Sequence, residues 1–388
     1  MPYAIKPQKH KRNAPSVQKL VKPLLPVLPH ITPLVARGKR ELKMTFEDQL
    51  YALIYFHLQE HSSGRHLLQE LKDNEFARNF IAPEKGIEKS SFFEAINTRG
   101  LTQLKEVFEA LQAEAHKVLP KEYKDLGDLT AIDGSLIDAT LSMYWADYRD
   151  GAKKAKAHLG FDINHGIPRK IFLTDGKGDE RPFVSQILLP GQTGIMDRYY
   201  QCHKNFDQWQ EEEKHFVCRI KAKTTKTLIT SYDINPDSTI FYDALVLLGT
   251  PGVNQTKKPV RVVGYKVNNV NYWIATDRFD LTAEQIAMAY KLRWVIESFF
   301  AWWKRHLRVY HLIARSPYGL MVQILSGLIT YILLAIYCHE EHGEKVSIRT
   351  VRQLRIQILN ETRAMDRMNR QPIHWAKDNY PHSPYAKT

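Results

Sequence analysis

Apolar residues recur every three or four positions through FEDQLYALIYFHLQ, HLLQELKDNEFARNFI and LTQLKEVFEALQAEAHKVL, so the chain from Thr45 to Leu119 predicts helices. Between them EKSSFFEAINTRG predicts a short helix capped by Ser90 or Ser91. After Pro120 the period shortens to two. DLTAIDGSLIDAT reads as a strand, and AKAHLGFDINHG and PRKIFLTDGKG read as two more, joined in a hairpin at His165-Gly166. RPFVSQILLP is a short polar stretch leading to GQTGIMDRYY, a strand that ends in an acid. A helix, HKNFDQWQEEEKH, and the strand FVCRIKA follow. Residues 223–277 are strand-rich, with STIFYDALVLLG, KPVRVVGYKV and NNVNYWIATD separated by turn residues, and helix resumes near Leu281 with Thr282 as its cap. This succession predicts a mixed α/β core with a β-rich insertion and a closing helix.

Gly319 to Cys338 is the longest apolar run and is just long enough to span a bilayer of about 30 Å. Gln323, Ser326, Thr330 and Tyr331 interrupt it, so a buried helix packed on the sheet is the better reading, and no membrane association is expected. The N-terminus lacks the apolar stretch and small-residue cleavage site of a signal peptide. With 388 residues, 44% of them apolar, the chain can bury two or three domains.

Charge narrows the class of partner. The net charge is +13 and the pI about 9.4, which favours a polyanion. Residues 1–44 hold ten Lys or Arg against one acid, Glu41, a net of +9, in a Pro-rich arm that can touch phosphates without reading sequence. A second basic run includes Arg349, Arg352, Arg355, Arg363, Arg367 and Arg370. Lys89 and Arg99 beside the short helix suit a helix-turn-helix-like DNA reader, and a plain bundle explains the same pattern equally well. Cys202, Cys218 and Cys338 form no disulfide framework and suit a reducing compartment, and their spacing with His203 and His215 matches no zinc finger.

The candidate chemistry lies on one helical stripe. In YKLRWVIESFFAWWK, Arg293, Glu297 and Lys304 follow Tyr290 at offsets of three, seven and fourteen, which at about 100° per residue fall within an arc of about 60°. Arg308 and His311 continue it. Two further acids stand in strands: Asp133 in AIDGS and Asp197 in GIMDRYY. An acid in an apolar strand is costly unless paired, hydrogen-bonded or bound to a metal. Three such carboxylates suit magnesium or manganese, and two ions about 3.5–4 Å apart would clamp an in-line phosphoryl transfer. Asp138, Asp162, Asp175, Asp179 and Asp277 compete for the same role on spacing alone.

Tyr290, Arg293, Glu297 and Lys304 resemble the Y-x2-R-x3-E-x6-K signature of the insertion-sequence-4 family of bacterial DDE transposases. AIDGSLIDAT resembles that family's first-aspartate strand and GIMDRYY its second, so the resemblance runs from about Asp128 to Ser326. Tyr199 stands where the family commonly has glycine, which bears on the backbone of that turn. The resemblance implies a ribonuclease H-like mixed-sheet core, interrupted by a β-rich insertion and flanked by an all-helical N-terminal DNA-binding region and a C-terminal helical segment. Its divisions fall at 1–44 for the arm, 45–120 for the helical domain, 121–222 and 278–338 for the two parts of the core, 223–277 for the insertion and 339–388 for the basic tail.

The resemblance also assigns roles. Asp133, Asp197 and Glu297 would hold two Mg2+ ions, with Mn2+ as a substitute, while Tyr290, Arg293, Lys304, Arg198, Tyr200 and Arg308 would contact DNA and Trp273 would stack on a flipped base. The implied partners are double-stranded DNA, as transposon terminal inverted repeats and target, and a second copy of the chain in a synaptic complex within the bacterial cytoplasm. The implied reaction is strand cleavage and strand transfer through a hairpin intermediate. Two other readings share the residues: a transposase-derived DNA-binding protein without catalysis, and a structure-specific nuclease with the same core.

Overall fold

A computed structural model describes residues 15–35, 42–83, 86–307 and 311–369. The front of the chain is helical: α1 (Pro15–Val21), α2 (Phe46–Leu58), α3 (Gly64–Asp73), α4 (Glu75–Phe80), α5 (Lys89–Thr98) and α6 (Leu101–Val118). Part of the basic arm is thus folded rather than extended. Val17, Leu20, Leu24 and Val27 are buried, because the arm alternates its lysines with branched aliphatics, while residues 1–14 and 36–41 lie outside the described residues. Thr45 and Asp48 form a reciprocal capping box that starts α2. Asn74 divides the predicted second helix by accepting from the Ala77 amide and opening α4. The expected serine cap of α5 is corrected: Glu88 occupies that position without a side-chain cap bond, and Ser90 and Ser91 lie within the helix.

The core begins with β1 (Leu129–Asp138), β2 (Lys154–Asp162) and β3 (Ile167–Asp175), with β2 and β3 turning at Gly166. After α7 (Val184–Ile187) come β4 (Thr193–Met196), α8 (His203–Glu211) and β5 (His215–Arg219). Next are β6 (Lys226–Ser231), β7 (Ile240–Leu248), β8 (Val260–Val267) and β9 (Val270–Thr276). Nine strands form one mixed sheet in the order β3-β2-β1-β4-β5-β9-β8-β7-β6. β1 is parallel to β4 and β4 to β5; the other pairings are antiparallel. The strand-rich stretch expected as an insertion therefore extends the core sheet through the β5–β9 pairing.

Period-two alternation gives the sheet two apolar faces. Ala131 and Ile195 belong to one buried cluster with Ile296, Phe299 and Leu328, whereas Ile132 and Met196 face the other with Phe206 and Trp209. The first face is covered by α9 (Ala283–Lys291), α10 (Trp294–His306) and α11 (Pro317–His342), after which α12 (Ile348–Asn369) completes the described chain. Buried Asp243 and Arg261 pair through two bonds of 2.8 and 2.7 Å across β7 and β8, and Arg261 donates to the Leu281 carbonyl at 2.6 Å just before α9. The closing helices are thereby tied to the extended half of the sheet.

α11 is long and apolar enough to cross a membrane, yet it lies inside the protein, against α1, α2, α5, α6 and β3. Its polar side chains are satisfied there. Gln323 donates to the His311 carbonyl and accepts from the Ile313 amide, while Ser326 and Thr330 donate to helix carbonyls. His57 of α2 bridges the Leu307 carbonyl at 2.6 Å and the Gln323 carbonyl at 3.1 Å, and burial pushes its pKa down to about 4.

Candidate active site

The β1–β4 ladder pairs Leu129 with Thr193 and Ala131 with Ile195. Two residues past these positions come Asp133, still within β1, and Asp197, one residue beyond the end of β4; strand alternation puts Asp133 on the same face as Ala131, the one covered by α10. Asp133 accepts from the Gly134 amide at 2.8 Å, and Asp197 accepts from the Tyr199 amide at 2.8 Å, where it caps the single turn Arg198–Tyr200. Burial raises the Asp133 carboxyl to about 7, with the charges of Glu180 and Asp197 pushing the same way. Tyr199 occupies that turn without a positive φ, so replacing the usual glycine imposes no left-handed strain; its ring lies beneath Arg181 at 5.6 Å.

The predicted stripe is not one helix. The backbone tightens between α9 and α10, where Arg293 donates to the Tyr290 carbonyl and Val295 to the Leu292 carbonyl in three-residue steps. Tyr290 therefore ends α9, Arg293 sits at the junction, and Glu297 and Lys304 belong to α10. Arg293 and Glu297 form an ion pair of 2.6 Å. Burial opposes the Arg293 charge, but Tyr290 and Glu297 outweigh it and hold the guanidinium above its ordinary pKa. Lys304 donates to the Leu136 carbonyl at 2.7 Å, clasping α10 to β1, and burial lowers its pKa.

Several expected DNA contacts are placed differently. Tyr290 is 5% exposed and Tyr200 1%, so both rings are core residues and neither presents its face outward. Tyr200 spends its hydroxyl on Glu180 at 2.7 Å. Trp273 is half-buried in β9, packed against Phe241 and Tyr242, with the Lys226 ammonium 4.3 Å over its ring. Arg198 is exposed beside Asp197. Arg308 and Arg370 lie outside the described residues.

The competing acids have other partners. Asp138 pairs with Lys154, Asp179 with Arg181, Asp175 accepts from the Lys177 amide, and Asp277 accepts from the Phe216 amide and His215. Among the described residues, one set of three metal-capable side chains has its ligand atoms within 4.8 Å of one another, and it is His116, Asp162 and His165. Arg169 already lies 3.0 Å from the same Asp162 oxygen. Although burial opposes it, these partners hold the Asp162 carboxyl well below the usual range, and the group anchors α6 to the β2–β3 turn. Asp133, Asp197 and Glu297 do not meet that separation, and Glu297 is paired with Arg293. Sequence reasoning missed both this cluster and Glu180. The latter stands in the polar run GDERPF, where no periodicity distinguishes it.

Residues 125–333 match the family model described as Transposase DDE domain, and the chain belongs to that family. It is 27% identical over 192 residues to the probable transposase for insertion sequence element IS5377 of Geobacillus stearothermophilus, a match covering 49% of this chain and 51% of that protein. It is also 27% identical over 217 residues to the putative transposase y4zB of Sinorhizobium fredii, covering 54% of this chain and 60% of that protein. The chain thus spans about half to three fifths of these curated relatives. The cryo-EM structure of the piggyBac transposase synaptic complex with hairpin DNA is similar with a TM-score of 0.43 and 14% identity, over 94% of this chain and 83% of that one.

Proposed function

We propose that the chain is a transposase of the insertion-sequence-4 type, with a ribonuclease H-like core that cuts the ends of a mobile element and joins them to target DNA. The observation that supports this reading is the convergence of Asp133 in β1 and Asp197, just past the end of the parallel strand β4, beside α10, the helix that bears Glu297. Membership of the DDE family and relatives named as insertion-sequence transposases support it. The donor set is hard oxygen, and Asp133 is half-buried beside like charges, the setting in which a divalent cation restores ionisation. Asp133, Asp197 and Glu297 would hold two Mg2+ or Mn2+ ions, which supply Lewis acidity for activating water and for charge on the leaving oxygen.

The chain's own residues do the rest. Arg293, charged and held at the helix junction, is placed to exchange Glu297 for a phosphate. Lys304 keeps α10 registered on β1, so Glu297 is presented at a fixed height over the sheet. Exposed Arg198 adds positive charge beside Asp197. The partners are the terminal inverted repeats, target DNA and a second copy of the chain, acting in the cytoplasm on the chromosome through a hairpin intermediate. Asp133→Ala, Asp197→Ala and Glu297→Ala should each abolish Mg2+-dependent cleavage of end-bearing DNA while gel-shift binding persists. Cleavage at the wild-type rate by any of them removes that residue from the site.

A further inference from the structure

The β1–β4 ladder ends at Ala131 and Ile195, short of the two acids. Past that point the β1–β4 pairing no longer fixes Asp133 against Asp197, and their relative position needs another tie. The opposite face of the sheet supplies one. Glu180 and Lys156 are each 13% exposed in their side chains and 3.3 Å apart, and the second Glu180 oxygen accepts the Tyr200 hydroxyl at 2.7 Å. Tyr200 closes the turn that Asp197 opens. On the other side, a Cβ built at Gly134 would stand 2.5–2.8 Å from the Glu180 carboxyl atoms, so that group rests against the α-carbon next to Asp133. Lys156 is the β2 partner of Leu136, which places the ion pair on the strand beside β1. His158, opposite Gly134 and 1% exposed, stacks on Phe183 and fills the remaining space.

Glu180 is half-buried with both carboxyl oxygens engaged, so it is held in one place. We propose that Glu180 is a positioning residue: acting through the Tyr200 hydroxyl and the Gly134 backbone, it fixes the Asp197 turn against β1 and so sets the spacing of the first two carboxylates for a divalent cation. This inference rests on the metal-site reading of Asp133 and Asp197. Partners one shell out from a metal ligand typically govern affinity by about 10- to 100-fold.

The test is Mn2+ binding to the full chain, followed by electron paramagnetic resonance, for wild type, Asp133→Ala, Tyr200→Phe, Glu180→Ala, Gly134→Ala and the Tyr200→Phe/Glu180→Ala double variant. Thermal unfolding of each serves as the control, and Tyr200→Phe keeps the buried ring, so it preserves the fold. Tyr200→Phe, Glu180→Ala and Gly134→Ala should each weaken Mn2+ binding by about 10-fold or more, with the double variant no worse than Glu180→Ala alone. Wild-type affinity in Tyr200→Phe overturns the proposal. So does a loss confined to Glu180→Ala, which would make Glu180 a direct ligand. If wild type takes up no Mn2+, or Asp133→Ala binds as well as wild type, the metal-site reading itself fails and the positioning role falls with it.

Discussion

Asp133 should make the protein less stable than it would be with a neutral side chain, and the deficit should depend on pH. Its carboxyl is moved from the ordinary 3.8 to about 7, by burial first and by Glu180 and Asp197 after it. A folded-state pKa above the unfolded one means that the native state holds a proton the unfolded chain has released between about pH 4 and 7. Stability from this group is therefore present at acid pH and lost as pH rises through 7. The full difference is about 4 kcal/mol, reached near pH 8, with under 2 kcal/mol expressed at pH 5. For a chain of this length the unfolding entropy is about 0.8 kcal/mol per kelvin, so Asp133→Asn should unfold about 5 °C higher than wild type at pH 8 and about 2 °C higher at pH 5. The assay is thermal unfolding by circular dichroism in EDTA across that range. Excess Mn2+ should then stabilise wild type by about 2.7 kcal/mol at a hundredfold over its Kd and leave Asp133→Asn unmoved. A variant that melts below wild type at pH 8, or one with an offset independent of pH, would refute the reasoning.

Asp243→Ala leaves Arg261 charged and buried at the start of the closing helices, so urea unfolding should show a loss of about 3–5 kcal/mol. His57 has its folded pKa lowered to about 4, so the unfolded state takes up its proton first as pH falls below about 6.5; up to about 3 kcal/mol should be lost by pH 4, and a His57→Gln variant should lack this acid-side slope. Lys304→Met removes the ammonium bond to the Leu136 carbonyl and should cost about 1.5–3 kcal/mol in chemical denaturation. Tyr199→Gly, at a turn that needs no positive φ, should change stability by under about 1 kcal/mol and leave cleavage within a few-fold of wild type.

What was legible in the residues follows from how locally each feature is encoded. AIDGS and GIMDRYY alternate cleanly, and Thr282 with Gln285 is a capping box visible in the string, so the strands, their acids and the start of α9 can be read directly. The remaining features are not written in the local pattern. The tightening at Leu292 and Arg293 leaves the apolar periodicity intact, so α9 and α10 look like one helix. The resemblance assigns Tyr200 and Tyr290 to DNA, but a phenol's ring is core-sized, and the structure buries both. β6 exposes most of its residues and shows no buried face to betray it, while Glu180 acquires its partners only when Lys156, Tyr200 and Gly134 converge.

α11 carries a consequence for how the protein is made. The front helices and one face of the sheet share an apolar cluster, and the 26 residues from Pro317 to His342 supply much of it. A ribosome that has reached Ser316 has translated α1 through α10 and the entire sheet, but none of the mast on which the front helices close. Those helices wait with open apolar flanks until α11 emerges, and a chain released early is a substrate for proteases and chaperones. Closure of the front helices is thereby tied to translation past all three acids, since Asp133, Asp197 and Glu297 precede α11.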